Sequence, residues 1–468
     1  MRYETVLIGG RWLPTTETIE VENPATMQVV GTSGRASVAQ VDLAVAAARD
    51  ALPAWGSLPP EQRATALDRL VDALRGRRRE LIDVTVAEVG TPVADATAWH
   101  VDLGIELVVS AIRNLRAHRF ESEVGNSLLF QRPVGVAACI TPWNYPFYQL
   151  TAKVAPALAA GCTVVLKPAE LTPLSAYLFA EAVEEAGLPA GVFNLLPGIG
   201  AEIGAALADH DGVDLVSFTG STKVGRAVGA AAAGRLAKVC LELGGKSASL
   251  VCADADLDTA VRATVESAML NAGQTCSAWT RLLVPAERYD EAVEIAGKHA
   301  ADLVVGDPTD ERTQVGPLVS RGQWEQVSAM VAAAVARGAR LVTGGGAPDG
   351  LRTGHYLAPT VLADLAPQDP ASQEEIFGPV LVVHPYADED EAIRIANGTR
   401  YGLAGAVWSG AEERALSIAR RLETGQVDLN GAAFNPEAPF GGWKDSGLGR
   451  ELGRVGLEEY LEWTAVQR

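Results

Sequence analysis

Apolar residues recur along this chain with two different spacings, and the alternation between them outlines a fold. Val6-Leu-Ile-Gly-Gly-Arg-Trp and Ile19-Glu-Val-Glu-Asn-Pro read as short strands with turns. Apolar positions three or four apart then predict helices over Val38 to Ala51, Pro60 to Val89 and Asp95 to Ala117. Between Glu121 and Arg132 the spacing shortens towards alternation, predicting a hairpin. Compact apolar runs follow at Val134–Ile140, Thr163–Leu166, Gly191–Leu196 and Leu215–Phe218, each trailed by a helical segment. Buried parallel strands joined by crossover helices have this rhythm. It predicts a doubly wound α/β sheet that binds its ligand at the carboxyl ends of the strands. After Glu242 the rhythm restarts, with Ser249–Cys252, a helix from Leu257 to Asn271, Arg281–Val284 and a helix from Tyr289. A second α/β unit is therefore expected from about Gly244 to the Phe440 region. The tail, Gly456 to Gln467, includes a strand over Glu459–Val466.

A chain of 468 residues is too long for one ordinary core, which agrees with two or three structural units. Hydrophobic residues at 48% and charged residues at 21% describe a globular protein. A net charge of −19 argues against nucleic acid or an anionic membrane as partner. An anionic cofactor stays possible, because backbone N–H groups hold phosphates locally. The first residues lack the apolar stretch of a signal peptide, and no segment has the length of a membrane span. Five scattered cysteines form no CxxC pair. Cytoplasmic localisation is expected, and six scattered histidines without ligand spacing predict no catalytic metal.

Candidate chemistry enters with Cys276, in Asn271-Ala-Gly-Gln-Thr-Cys-Ser-Ala. A lone cysteine is usually a small buried apolar residue. Cys139, Cys162, Cys240 and Cys252 adjoin apolar runs and fit that description, whereas Cys276 is bracketed by Thr275 and Ser277. Glu242 ends an apolar run and precedes Gly244-Gly245; alone it would be a surface carboxylate. Asn144, in Thr141-Pro-Trp-Asn-Tyr-Pro, would alone be a turn residue. Together they supply a thiol nucleophile, a carboxylate able to activate water and an amide able to hold an oxyanion. Oxidation of an aldehyde through a thioester needs those groups. Two motif-like stretches fall short. Gly198-Ile-Gly-Ala-Glu-Ile-Gly204 has its last glycine one residue late for a dinucleotide fingerprint and reads as a strand-to-helix turn. Gly245-Lys246-Ser247 has Cys240 where a phosphate-binding loop needs glycine.

Further motifs run through most of the chain: Leu166-Lys-Pro-Ala-Glu, Phe218-Thr-Gly-Ser-Thr, Leu241-Glu-Leu-Gly-Gly-Lys-Ser, Glu374-Glu-Ile-Phe-Gly-Pro and Pro439-Phe-Gly-Gly-Trp-Lys-Asp-Ser-Gly. With those above, in this order, the chain resembles the NAD(P)-dependent aldehyde dehydrogenase superfamily, in its non-acylating, hydrolytic branch. The resemblance implies a Rossmann-like doubly wound cofactor domain, a second α/β catalytic domain and a small β oligomerisation element. The expected division is 1–118 and 133–243 for the NAD-binding domain, 244–440 for the catalytic domain, and 119–132 with 441–468 for the oligomerisation element and C-terminal arm.

It also implies roles. Cys276 attacks the aldehyde; Asn144 and the Cys276 N–H hold the oxyanion; Glu242 activates the water that hydrolyses the thioester. Lys153 and Glu451 match positions of a proton relay. Cofactor contacts are expected from Trp143, Lys167, Glu170, Gly220, Ser221, Gly225, Leu243, Glu375 and Phe377, with the Glu170 carboxylate favouring NAD over NADP. Tyr145, Tyr148, Trp279, Phe434 and Phe440 fall at the expected aldehyde tunnel, which points to an apolar or aromatic aldehyde of medium size. Ala152 hints at a roomy tunnel. A homodimer or homotetramer is expected. The competing readings are an enzyme that transfers the acyl group to coenzyme A, which generally lacks a carboxylate like Glu242, and a catalytically silent structural protein on the same fold.

Overall fold

The computed structural model describes residues 1–468, and strand order explains where a ligand can bind. The larger sheet runs Gly447–Leu448, Lys238–Glu242, Leu215–Thr219, Val136–Ile140, Thr163–Lys167, Phe193–Leu195, Thr5–Ile8, Arg11–Pro14. Its five central strands are parallel. The chain leaves Val136–Ile140 to build Thr163–Lys167 and Phe193–Leu195 on one side, then returns to build Leu215–Thr219 and Lys238–Glu242 on the other. That reversal opens a crevice beyond the carboxyl ends of the strands, where open α/β sheets bind ligands. Val136–Ile140, Thr163–Lys167 and Leu215–Thr219 are buried throughout, as strands covered on both faces must be.

The second sheet has the order Arg340–Thr343, Thr360–Ala363, Val380–Tyr386, Arg281–Pro285, Ala248–Val251, Gly405–Trp408, Asp428–Leu429, parallel except at its first pair. A hairpin of Glu121–Val124 and Ser127–Pro133 pairs through its second strand with Leu461–Gln467 in a separate three-stranded sheet. Residues 441–468 do not form one arm: Gly447–Leu448 pairs with Lys238–Glu242 on the larger sheet, while Leu461–Gln467 pairs with the hairpin. No helix is long and apolar enough to cross a membrane.

Two helical expectations need correction. The stretch Pro60–Val89 is two helices, Pro60–Gly76 and Arg78–Val89, broken at Arg77 with φ −97° and ψ 5°. The helix from Leu257 ends at Met269 rather than Asn271. Asn271 and Ala272 adopt left-handed backbone angles, φ 52° and 55°, and Gly273 follows at φ 71°. A non-glycine residue costs roughly 1 kcal/mol or more in that region, so this turn must be held by its surroundings.

Candidate active site

The strained turn after Met269 delivers Cys276, and residues 144 and 145 hold the turn in place. The Asn271 side-chain amide donates to the Asn144 carbonyl at 2.9 Å, and Asn144 Nδ2 donates to the Gln274 carbonyl at 2.8 Å. Gln274 Nε2 donates to the Asn271 carbonyl, while its Oε1 accepts the Val319 N–H at 2.9 Å. A side-chain amide carries two N–H donors. One of Asn144's is committed to Gln274, which leaves the other for a substrate oxygen. Asn144 itself follows the carboxyl end of Val136–Ile140, just before the buried helix Pro146–Ala160.

Cys276 is half-buried, while the other four cysteines are buried. Burial pushes its ionisation up to about 12, and the Glu375 and Glu242 carboxylates add to the shift; the N–H groups of Ser277 and of Cys276 itself oppose it. The thiol therefore keeps its proton at neutral pH. Two glycines leave room for the Cys276 backbone and for Glu375. A Cβ on Gly245 would come within 2.4 Å of the Cys276 carbonyl oxygen, and one on Gly244 within 2.2 Å of Glu375 Oε2.

Glu242 ends its strand buried, and neither carboxyl oxygen has a hydrogen-bond partner. Burial, then the charge of Glu451, holds its ionisation well above the usual carboxylate range, against the pull of Lys153 and Arg450. A Cβ on Gly441 would lie 2.5 Å from Glu242 Oε1. The missing side chain is what gives the carboxylate its space. Lys153 and Glu451 form a buried ion pair next to Glu242, and Lys153 also reaches Ser217 Oγ at 3.2 Å. Such a pair is no clear gain in stability, because both charges lose their water.

Two adjoining cavities take in the expected cofactor residues except Gly225. The larger, about 980 Å³, is lined by Lys167, Glu170, Gly200, Gly220, Ser221 and their neighbours. The smaller, about 220 Å³, runs past Trp143, Asn144, Leu243, Glu375 and Phe377 to Cys276. Trp143, Gly220 and Ser221 border both, so the two form one cleft along the carboxyl ends of the larger sheet. Lys167 Nζ lies 3.0 Å from Glu170 Oε2. Burial opposes ionisation of Glu170, yet Lys167 and nearby backbone N–H groups outweigh it and keep the carboxyl below its usual range. Ser221 caps the helix Thr222–Gly234 by accepting the Val224 N–H, and Ser221, Lys223 and Val224 line the larger cavity, so the helix begins at the cleft. A Cβ on Gly225 would meet Leu243 at 2.3 Å; its contribution is room for that side chain. Glu375 accepts the Gly245 N–H at 3.0 Å and is pushed by burial up to about 7. Phe377, at φ 58°, is held by Gln323 donating to its carbonyl and meets Trp143 edge-on. A paired anionic acceptor at one end, helix N–H groups midway and a second carboxylate near the thiol fit a dinucleotide. No group of three or more His, Cys, Asp or Glu side chains is arranged to hold a metal.

The aromatic residues do not stay together. Tyr148, Phe434 and Cys276 pack against buried Leu107, Ala152, Leu403, Phe440 and Leu452. Phe434 and Phe440 meet edge-on at 6.3 Å. Tyr145 has its hydroxyl 2.6 Å from Thr275 Oγ1, behind the nucleophile turn. Trp279 departs from the tunnel expectation. It packs in the core of the second sheet, edge-on to Trp408 at 6.2 Å. Its ring shares that core with Leu282 and Val284, on the opposite face of the strand Arg281–Pro285 from Leu283.

Sequence reasoning missed several lining residues. Gly200 donates its N–H towards Glu170 at 3.4 Å and lines the larger cavity, so the turn Gly198–Gly204 belongs to the cleft. Gln323 and Gln326 line the smaller cavity from a helix over Arg321–Ala336 that carries no motif. Gly441 sat in view within Pro439-Phe-Gly-Gly, but nothing in sequence ties it to Glu242.

Comparison with known proteins agrees with this geometry. A profile of the Aldehyde dehydrogenase family matches residues 12–466. A 3-succinoylsemialdehyde-pyridine dehydrogenase from Pseudomonas sp is 47% identical, over 99% of this chain and 98% of that protein. Among solved structures, a cysteine-to-alanine mutant of aldehyde dehydrogenase C from Pseudomonas syringae, complexed with NAD+ and octanal, superposes with a TM-score of 0.98. It is 46% identical, over 99% of this chain and 96% of that one. A Mycobacterium tuberculosis aldehyde dehydrogenase complexed with NAD+ also has a TM-score of 0.98 and is 41% identical, over 100% and 98%.

Proposed function

We propose, given that this chain belongs to the aldehyde dehydrogenase family, that it oxidises a medium-sized apolar or aromatic aldehyde to the acid with NAD. The observation that carries the hydrolytic mechanism is Glu242, a buried carboxyl without any partner near the only half-buried thiol. Cys276 gives its proton to solvent and attacks the aldehyde carbon, the carbonyl electron pair moving onto oxygen to form the thiohemiacetal oxyanion. The free N–H of Asn144 and the backbone N–H of Cys276 donate to its oxyanion. NAD, when bound, supplies the hydride acceptor that turns this adduct into a thioester. Glu242 then takes a proton from the attacking water, and its raised ionisation makes it a stronger base than an exposed carboxylate. Lys153 and Glu451 stand where that proton can be passed on. Transfer of the acyl group to coenzyme A would not need Glu242, which disfavours that reading.

The apolar aldehyde is supported by the surroundings of Cys276. Tyr148, Phe434 and Phe440 offer rings, Ala152 leaves space, and the segment 431–436 contains no Arg or Lys. The solved relative complexed with octanal and the relative named for a pyridine semialdehyde are in keeping with it. The Glu170 carboxylate would repel a 2′-phosphate, which favours NAD over NADP. The expected result is faster turnover of octanal and benzaldehyde than of succinic semialdehyde, with NAD outperforming NADP. Ala152→Phe should lower kcat/KM for octanal by at least about 10- to 200-fold while sparing acetaldehyde, since a single methylene of pocket is worth that much and the substitution adds a six-carbon ring. Equal or better turnover of succinic semialdehyde would sink the substrate assignment.

The sheet of Leu461–Gln467 and the 121–133 hairpin supports self-association. Trp463, at 60% exposure, and Val124 stand uncovered on it. Light scattering should return a homodimer or homotetramer, and a monomer at micromolar concentration would contradict this. Five unpaired cysteines suit a reducing cytoplasm.

A further inference from the structure

The nucleophile turn is also gripped from a direction the chemistry above does not use. The helical segment over residues 93–117 is irregular. Between Ala96 and Asp102 it opens into a π-helical stretch, a rare geometry that recurs at functional sites. His100 lies within it, fully buried, and neither ring nitrogen has a hydrogen-bond partner. Burial pushes its ionisation down to about 3, so the ring stays neutral at any working pH. A buried polar ring without partners lowers stability unless something else offsets it.

What His100 does touch is Tyr145. The two rings stack with centroids 4.3 Å apart and planes 25° apart. The Tyr145 hydroxyl lies 2.6 Å from Thr275 Oγ1, and Thr275 Oγ1 donates to the Leu270 carbonyl at 3.2 Å. A hydroxyl has one proton, so Tyr145 is the donor to Thr275. The sequence His100, Tyr145, Thr275, Leu270 therefore brackets the left-handed residues Asn271, Ala272 and Gly273. Its third member, Thr275, directly precedes Cys276. At the other end of the π stretch, Asp95 stands beside the Asn271 backbone N–H, which partly offsets the effect of burial on its carboxyl.

We propose that His100 is a positioning residue, whose stack on Tyr145 aims the Tyr145 hydroxyl at Thr275 and so fixes Cys276 relative to Asn144. The inference rests on Cys276 as nucleophile. The ring acts by shape and stacking, and its nitrogens take no part. A phenylalanine can replace it in that role and a leucine cannot.

The test is a double-mutant cycle with octanal and NAD, using His100→Leu, Tyr145→Phe and the pair, with His100→Phe alongside. His100→Leu should lower kcat by about 10- to 100-fold, the cost of a small misplacement at the reacting centre. KM should change by less than about threefold, as expected for a loss confined to the reacting geometry. Added to Tyr145→Phe, the same change should cost less than about twofold, because the hydroxyl it aims is already gone. His100→Phe should stay within about threefold of wild type, since aromatic pairing needs no ring nitrogen. Independent, multiplying losses would overturn the proposal, as would a His100→Phe enzyme as slow as His100→Leu. Melting temperatures of all four variants separate a loss of folding from a loss of aim. Failure of the nucleophile assignment would be seen differently, as wild-type turnover that survives Cys276→Ala.

Discussion

Glu242→Gln will make about one equivalent of NADH per active site and then nearly stop. Attack by Cys276 and loss of hydride need no water-activating base at residue 242, so the first turnover survives. Release of the acid does need it. General-base assistance is worth about 10²–10⁴ in rate, and the steady-state rate should fall by that amount while the burst remains. The substitution is gentle on the fold. Neither Glu242 oxygen has a hydrogen bond to lose, and glutamine keeps the volume above Gly441. A pH profile adds a second readout. With its ionisation well above the usual range, Glu242 gains its base form as pH rises. The wild-type post-burst rate should climb with pH, and that climb should vanish in Glu242→Gln. Rapid-mixing absorbance at 340 nm reads both. Loss of burst and steady state together would assign Glu242 to an earlier step.

Asn144→Ala is expected to lower kcat by about 10²–10³, the usual loss for one oxyanion donor. A part of the change will be structural. The Gln274 carbonyl loses its 2.8 Å donor, and leaving a buried acceptor bare costs about 1–3 kcal/mol. The turn itself keeps its bond from Asn271, because that one ends on the Asn144 backbone carbonyl. Melting temperature should therefore drop modestly while the burst itself slows. A kcat within about threefold of wild type would remove Asn144 from the oxyanion site, given what such donors are worth.

Much of this site was legible because it is built at strand ends. Asn144, Lys167, Gly220 and Glu242 each follow a short apolar run, and a buried parallel strand ends just there. The reversal of strand order then gathers residues far apart in sequence into one crevice. What stayed hidden depends on tertiary contacts. Leu257 to Asn271 has helical spacing throughout, and only packing against residues 144 and 319 forces Asn271 and Ala272 into left-handed angles. By contrast, Pro60–Val89 is apolar at three- and four-residue spacing on either side of Arg75-Gly-Arg-Arg-Arg-Glu80, and that polar gap with its glycine is where the two helices part. Trp279 looked like a tunnel residue from its nearness to Cys276 in sequence, but its ring packs with Leu282, Val284 and Trp408 in the core of the second sheet. The π stretch holding His100 has the composition of an ordinary helix.

Intact-protein mass spectrometry of enzyme quenched during turnover of octanal and NAD tests the thioester most directly, with NADH followed in parallel. The expected result is an added acyl mass located on Cys276, enriched in Glu242→Gln, and neither adduct nor NADH from Cys276→Ala. NADH from Cys276→Ala at near the wild-type rate, or an acyl group on a different residue, would contradict covalent catalysis at Cys276.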